Sequence, residues 1–220
     1  METCYAVGGI PLFEYTGYLR DAVNQFIQDQ ESSPYDEDGN FIDLFFPFDL
    51  PNSNLQGMTA MNLDLHGSNF SGSDLYWGCF RECNLENVNF SNCSLRGASL
   101  DGANLKKANF QNANLGFANM GVVGATIVDA DLNDAIIENT VLAGCAYNSR
   151  TIFPKKFVPP PWMIKQNDNE SYTELSERIK VPVYKYFESF SETQRQEIIF
   201  NGIPYDVDIQ KRFADILSGD

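Results

Sequence analysis

The sequence predicts an all-β solenoid, a coil with four sides that winds once in roughly twenty residues. Three observations predict it. A large apolar residue returns every five residues through the middle of the chain, a small residue stands two places before it, and a turn-forming residue stands two places after it. A spacing of five fits neither a helix, which repeats near 3.6 residues, nor a flat strand, which repeats at 2.

The large apolar residues, called centres below, are expected to lie inside the coil. Sixteen of the eighteen residues two places before a centre are small. The two side chains of such a pair point the same way from an extended segment and share one cross-section, so one must be small where the other is large. Met58, two places before the centre Ala60, is large where its centre is small, so the summed side-chain volume of the pair is kept. The centres are Leu55, Ala60, Leu65, Phe70, Leu75, Phe80, Leu85, Phe90, Leu95, Leu100, Leu105, Phe110, Leu115, Met120, Ile127, Leu132, Ile137 and Leu142.

The corners of the coil are predicted two places after each centre. Thirteen of these eighteen residues are glycine, asparagine or aspartate, which tolerate a positive φ and favour tight turns. A corner that turns the chain through about a quarter circle gives four repeats per coil. The eighteen repeats then make about four and a half coils. The thirteen residues are Gly57, Asn62, Gly67, Gly72, Asn87, Asn92, Gly97, Gly102, Asn112, Asp129, Asp134, Asn139 and Gly144.

Residues twenty apart are expected to stack along the axis, and Phe70, Phe90 and Phe110 share one such column. The motif Ala-(Asp/Asn)-Leu-Xaa-Xaa also recurs almost unaltered, in copies that begin at Ala103, Ala108, Ala113, Ala118 and Ala130. On these residues, roughly residues 53–147 resemble the pentapeptide-repeat family. The resemblance implies a right-handed quadrilateral β-helix.

Three domains are predicted: an acidic N-terminal cap over residues 1–50, the β-helix over residues 51–148, and a Pro-rich linker with a helical region over residues 149–220. Both ends of a solenoid expose strand edges, which soluble proteins cover. In the cap, helical spacing of apolar residues behind Thr16 predicts a helix over residues 17–30. The apolar run 41–50 is predicted to be an edge segment, with Phe45, Phe46 and Phe48 closing the first coil.

The C-terminal region begins after Pro154 and the prolines at 159–161, a composition typical of a linker. Capping-box patterns at Ser171 and Ser191 and a stripe after Asp208 predict helices. Family analogy alone suggests a homodimer through these helices.

The charge is uneven along the chain, whose net charge is −15. Residues 1–50 hold ten acidic residues and one basic residue, whereas residues 149–220 are nearly balanced. An acidic front argues against direct binding to nucleic acid or to an anionic membrane. It would instead steer a basic partner.

The residues that catalysis and metal binding require are scarce. His66 is the only histidine and is expected to face solvent, and no phosphate-binding glycine loop follows a strand. Cys83, Cys93 and Cys145 occupy the small inward position, whereas Cys79 is expected to face outward. The sequence therefore predicts no enzyme, no cofactor and no metal. Free thiols, together with the lack of a signal peptide or a long apolar span, predict a cytoplasmic protein.

Carboxylates on the repeats are assigned a structural role by the resemblance. Asp64, Asp74 and Asp131 stand one place before a centre, where the family uses the side chain to bond neighbouring backbone or to stack along a face. They are therefore poor candidates for a paired acid and base.

One corner departs from the pattern. Trp77 and Phe117 stand forty residues apart where glycine or asparagine is usual, with Gly97 between them and Tyr76 beside Trp77. We call Tyr76, Trp77 and Phe117 the aromatic corner and predict that it binds a partner, since exposed aromatic clusters usually mark contacts. The alternative is that the C-terminal segment, with Phe157 and Trp162, folds back and covers it.

Three functions remain open from the sequence. The first is a non-catalytic interaction protein that binds and blocks or positions a protein partner, such as an immunity protein against a toxin, another antagonist or an adaptor. The second is a DNA-mimicking modulator of a type II topoisomerase, of the gyrase-protecting, quinolone-resistance kind that the family includes. The long flanks and the charge outside the repeats count against the second. An enzyme in the C-terminal helices is the third and has no recognisable nucleophile and base.

Overall fold

A computed structural model of the 220-residue chain gives its fold. The residues that the structure describes are 1–32, 47–116, 118, 120, 125–171, 173–175, 177–178, 185, 188–195 and 207–218.

The central segment forms the predicted solenoid. Parallel β-bridges join residues twenty apart, as in the column Asn54, Asp74, Ser94 and Asn114. Each coil also bonds to the next through its backbone, for example from the Leu55 N–H to the carbonyl oxygen of Asp74 at 2.8 Å. The spacing rises to twenty-two residues between Asn104 and Thr126, where the sequence slips by two. The repeat of five therefore builds a β-helix in which one residue of each repeat pairs with the equivalent residue of the next coil.

The centres fill the interior of the coil. Seventeen of the eighteen are buried, and Ile137 near the C-terminal end is partly buried. Phe70 and Phe90 are stacked with ring centroids 5.6 Å apart, and Phe90 and Phe110 with centroids 5.3 Å apart. The phenylalanine column predicted from the period of twenty is therefore confirmed.

The corners have the predicted backbone conformation. All thirteen predicted corner residues have a positive φ, and so do Trp77, Glu82 and Lys107, which occupy the same position in their repeats. The position two places after a centre thus adopts the left-handed conformation even where the residue is not glycine, asparagine or aspartate. Residues other than glycine, asparagine and aspartate adopt it at a cost of about 1–2 kcal/mol.

Side chains one place before the centres secure these turns. Asp64 Oδ1 accepts a hydrogen bond from the backbone N–H of His66 at 3.1 Å and another from the amide nitrogen of Asn84 at 2.9 Å. Asp74 and Asp131 likewise accept from the backbone two residues on, at 3.1 and 2.8 Å. The structural role expected for these three carboxylates is confirmed.

The N-terminal cap contains a hairpin that the sequence analysis missed. Strands β1 (Glu2–Ala6) and β2 (Ile10–Tyr15) are antiparallel, and β1 also pairs with β3 (Phe48–Asp49) in the order β2-β1-β3. Asp49 pairs with Tyr5 on one side and with Asn69 of the coil on the other. The hairpin therefore continues one side of the solenoid and covers its open edge.

Helix α1 (Leu19–Ser32) lies against the first coil. It begins two residues later than predicted, because the Tyr18 carbonyl, and not Thr16, accepts the first helical bonds. Val23 and Ile27 are buried in the core, and Phe26 contacts Phe48 with ring centroids 6.2 Å apart. Phe48 thus closes the coil as expected, whereas Phe45 and Phe46 lie outside the described residues.

Strands β4 (Ala146–Tyr147) and β5 (Ile164–Lys165) are parallel and extend the coil at its C-terminal end. The capping boxes predicted at Ser171 and Ser191 are formed, with Glu174 and Gln194 as the reciprocal partners. Helix α2 (Val207–Ser218) buries Phe213 in a second apolar cluster, which covers the outside of the last repeats through Val128, Val141, Ala143, Ala146, Ile164, Leu175 and Phe190.

Candidate functional site

Tyr76 and Trp77 of the aromatic corner lie on the second coil. Trp77 has a φ of 58° and a side chain whose exposed fraction is 66%. Tyr76 beside it is 40% exposed, and the two rings meet edge to face with centroids 6.0 Å apart. Phe117 lies outside the described residues, so the predicted third ring stays a prediction.

Gly97 forms the predicted notch beneath the indole ring. A Cβ atom built at Gly97 would lie 3.3 Å from Nε1 of Trp77, closer than ordinary van der Waals contact. The ring of Trp77 therefore leans along the axis over the next corner. The lack of a side chain at Gly97 leaves room for this position.

The C-terminal residues proposed to cover the aromatic corner pack elsewhere. Phe157 and Trp162 are partly buried against the core, and Phe157 contacts Phe153 with ring centroids 5.0 Å apart. The Trp162 carbonyl accepts a bond from the Gly144 N–H at 2.8 Å, on the last coil. These contacts account for both aromatic residues without Trp77.

A pocket of about 400 Å³, which we call the cap pocket, opens beside the aromatic corner. Its lining combines the hairpin, the start of α1 and the first coil: Glu2, Tyr15, residues 17–20, Asn54 and Gln56. Gln56 stands twenty residues before Tyr76, and the neighbouring Gly57 N–H donates to the Tyr76 carbonyl at 2.9 Å. The pocket and the aromatic corner therefore occupy consecutive coils. The sequence analysis missed the pocket, because its lining comes from three separate stretches of chain.

The charges on the coil are mixed. Glu86 lies 3.7 Å from the Lys106 ammonium and 3.6 Å from that of Lys107, and Arg81 lies 3.5 Å from Asp101. The ladders between coils consist largely of asparagine side chains, such as Asn69, Asn84, Asn89 and Asn104. The described faces of the coil therefore do not carry a continuous column of carboxylates.

The cysteines behave as core residues. Burial raises the pKa of the Cys83, Cys93 and Cys145 thiols to about 12, so they are poor nucleophiles at neutral pH. Cys83 Sγ lies 3.0 Å from the Ala60 carbonyl oxygen, to which the thiol can donate. All five cysteines of the chain are free.

His66 and the acidic residues form no metal site in the described part of the chain. The His66 ring contacts Asp64 at 2.8 Å and is 45% exposed, in line with its predicted place on the surface. No group of three histidine, cysteine, aspartate or glutamate side chains is arranged as metal ligands would be among the residues described. The helices within these residues are also too short or too polar to cross a membrane.

Comparisons with known proteins agree with the repeat geometry. A family model of pentapeptide repeats matches residues 79–116 in eight copies. No curated protein sequence matches the chain.

Similar solved structures include three proteins. Rfr23, a pentapeptide repeat protein of the cyanobacterium Cyanothece 51142, is 27% identical over 48% of this chain and 84% of its own, with a TM-score of 0.46. HetL of Nostoc sp. strain PCC 7120, involved in heterocyst differentiation regulation, is 22% identical over 54% of this chain and 47% of its own, with a TM-score of 0.44. QnrB1, a plasmid-mediated fluoroquinolone resistance protein, is 17% identical over 59% of this chain and 89% of its own, with a TM-score of 0.31.

Proteins of the family whose model matches form a right-handed β-helix, and the parallel β-bridges of this chain define a coil of the same general kind. The eight matched copies lie within the columns of residues twenty apart that stack in the structure. Residues 79–116 of the repeat array are thus similar to the pentapeptide-repeat family, whose model they match.

Proposed function

We propose that this chain is a non-catalytic protein-interaction module that binds a protein partner through its aromatic corner and thereby blocks or positions it. One observation carries the proposal: Trp77 holds a bulky side chain, two-thirds exposed, at a φ of 58°. Thirteen of the eighteen corner positions in the array carry glycine, asparagine or aspartate instead. An unfavourable backbone conformation combined with an exposed indole is typical of a residue kept for contact and not for stability.

The surroundings of Trp77 favour binding because they are rigid. Its backbone N–H donates to the Arg96 carbonyl of the next coil at 3.1 Å. On the other side, the Tyr76 carbonyl accepts from Gly57 of the preceding coil. A surface held by bonds to both neighbouring coils loses little conformational entropy when a partner docks.

The test is affinity capture from the native cell with the wild-type chain and the variant Trp77→Gly. Glycine relieves about 1–2 kcal/mol of backbone strain and raises the entropy of the unfolded chain by about 0.5–1 kcal/mol. The variant is therefore expected to be as stable as the wild type or slightly more stable in chemical denaturation. It is nevertheless expected to lose the partner, because the indole ring is gone.

Lys107→Gly is the matched control, since Lys107 also has a positive φ but lies thirty residues farther along the chain, at the opposite corner of the coil. Its exposed ion pair with Glu86 contributes at most about 1 kcal/mol. This variant is expected to keep the partner. If Trp77→Gly folds and captures the same proteins as Lys107→Gly, the aromatic corner is not the binding site. Phe117→Ala in the same capture tests the third predicted ring.

The net charge of −15 favours a second candidate, the DNA-mimicking modulator of a type II topoisomerase. The distribution of this charge along the chain counts against the modulator function. The described faces of the coil carry asparagine ladders, and Arg81, Lys106 and Lys107 lie beside the carboxylates. A gyrase supercoiling assay with and without a quinolone separates the two candidates, because only the modulator would protect or inhibit the enzyme.

The proposal also covers the domain boundaries, the cellular location and the oligomeric state of the chain. We assign residues 1–50 to a cap, residues 51–148 to the β-helix and residues 149–220 to the C-terminal region. A reducing, cytoplasmic location is supported by the five free cysteines. A homodimer through the C-terminal helices is tested by sedimentation equilibrium of the chain with and without residues 171–220.

A further inference from the structure

We propose that the cap pocket receives a lysine or arginine side chain of the partner while the body of that partner rests on the aromatic corner. This inference rests on the proposed function and adds the chemistry of the partner to it. It concerns a second site, in the N-terminal cap, with its own residues and its own test.

Glu2 supplies the anionic end of the pocket. Among the described residues its carboxylate has one hydrogen-bond donor, the Tyr15 hydroxyl, which lies 2.6 Å from Oε2. A carboxylate has about four acceptor positions, so most of those on Glu2 remain for a ligand. The bond to Glu2 raises the pKa of Tyr15 to about 12, as expected beside an ionised carboxylate.

Arg20 does not cancel this charge, because it is already paired. Its Nε lies 2.7 Å from Asp21 Oδ1, and one of its terminal nitrogens donates to the Gln56 carbonyl at 3.1 Å. Asp21 also lies in the first turn of α1, where it offsets the positive end of the helix dipole. The unpaired charge of the pocket is therefore that of Glu2, and the preferred ligand is a cation.

The side walls suit the shape of a basic side chain. Tyr15, Tyr18 and Leu19 present apolar surface along which the methylene stem of lysine or arginine can lie. The Tyr18 ring is 80% exposed and can stack on a guanidinium or ammonium group. Ten acidic residues among the first fifty raise the local concentration of cations further.

The pocket and the aromatic corner can contact a single partner. Gln56 lines the pocket, and its side-chain amide donates to Asp74 Oδ2 at 2.5 Å. Asp74 stands two residues before Tyr76 in the sequence. Consecutive coils of a β-helix lie about 4.8 Å apart, so a basic side chain in the pocket leaves its backbone within reach of Trp77. The two features then form one contact surface.

The test measures binding of argininamide to the full chain by NMR titration. Citrullinamide, which has a similar shape and keeps the α-amine but has an uncharged side chain, is the control ligand, and inorganic phosphate tests for an anion site. Argininamide is expected to shift the resonances of Tyr15, Tyr18 and Arg20 at millimolar concentration. Glu2→Gln keeps an acceptor for the Tyr15 hydroxyl and removes the charge, and it is expected to weaken binding about fivefold, the factor for about 1 kcal/mol.

Glu14→Gln is the matched control variant, because Glu14 neighbours Tyr15 on β2 but lies outside the pocket lining. It is expected to bind argininamide as the wild type does. The inference is overturned if argininamide does not bind, if citrullinamide or phosphate binds as well, or if Glu2→Gln binds equally. These outcomes would leave the Trp77 capture result untouched, and unchanged capture by Trp77→Gly would leave argininamide binding untouched, so the two proposals fail separately.

Discussion

Trp77 combines two properties that stability alone does not explain. Its backbone adopts the left-handed region at a φ of 58°, which an L-residue enters at a cost, and its ring remains largely in solvent. The neighbouring Leu75 illustrates the opposite case, since it is fully buried and fills the interior of the same coil. At the scale of single residues, the corner positions are where this coil can change its chemistry without changing its core.

Tyr15 and Glu2 give a prediction at the same scale. The hydrogen bond from the Tyr15 hydroxyl to the Glu2 carboxylate, together with burial and the charge of Glu2, raises the pKa of Tyr15 to about 12. Each of the Glu2 contributions favours the protonated phenol. Glu2→Gln is therefore expected to lower the pKa of Tyr15 towards its ordinary value of about 10. An NMR titration of labelled tyrosine Cζ measures the change.

Tyr147 provides the internal reference for this titration. Its pKa is raised by burial, at the other end of the coil, and is expected to stay the same in Glu2→Gln. An unchanged pKa of Tyr15 in that variant would mean that the bond to Glu2 does not exist in solution.

Among the elements, α1 completes the first coil with backbone bonds as well as apolar contacts. The Asn24 side-chain oxygen accepts a bond from the Thr59 N–H at 3.0 Å, at the N-terminal edge of the first coil. The Arg20 side chain likewise donates to the Gln56 carbonyl. The helix therefore supplies the hydrogen-bond partners that a coil would supply in the middle of the array.

Asn24→Ala is expected to lower the free energy of unfolding by about 1 kcal/mol, because the Thr59 N–H loses its acceptor. Gln25→Ala is the control, since the side chain of exposed Gln25 donates to Asp29 on the same helix and such pairs contribute about 0.2–0.5 kcal/mol. Urea denaturation measures both. Equal losses in the two variants would show that α1 covers the edge through apolar contact alone.

The elements differ in how far the sequence predicts them. The coil, its corners and its phenylalanine column follow from a period of five, because each repeat buries its centre in the same way. The hairpin of β1 and β2 does not, because its inner strand is stabilised by β3, more than forty residues away in the chain. Gly8 and Gly9, both with positive φ, form its turn and were the one local signal for it.

The candidate site divides in the same way. The position of Trp77 on an outer corner, with Gly97 next to it, could be predicted from the repeat alone. The cap pocket could not, since Glu2, Tyr18 and Gln56 meet only when the hairpin and α1 dock on the first coil. Local pattern places residues within the coil, whereas the contacts of the cap depend on tertiary packing.

The described part of the molecule places the cap pocket and the rings of Tyr76 and Trp77 on adjacent coils. The first coil carries the pocket, and the second carries Tyr76 and Trp77. The described part of the C-terminal region packs on the last repeats through Val128, Val141 and Phe213. Each end of the array is thus covered by other segments of the chain, and Tyr76 and Trp77 are exposed on the coils between them.

Hydroxyl-radical footprinting of the captured complex tests this account most directly. The oxidation rates of Tyr18, Tyr76 and Trp77 are compared between the free chain and the complex, with Ile136 and Ile152, exposed near the C-terminal end, as internal references. The account predicts that the three aromatic side chains become protected in the complex while the two isoleucines react as before. A complex in which Trp77 is oxidised as fast as in the free chain would contradict it.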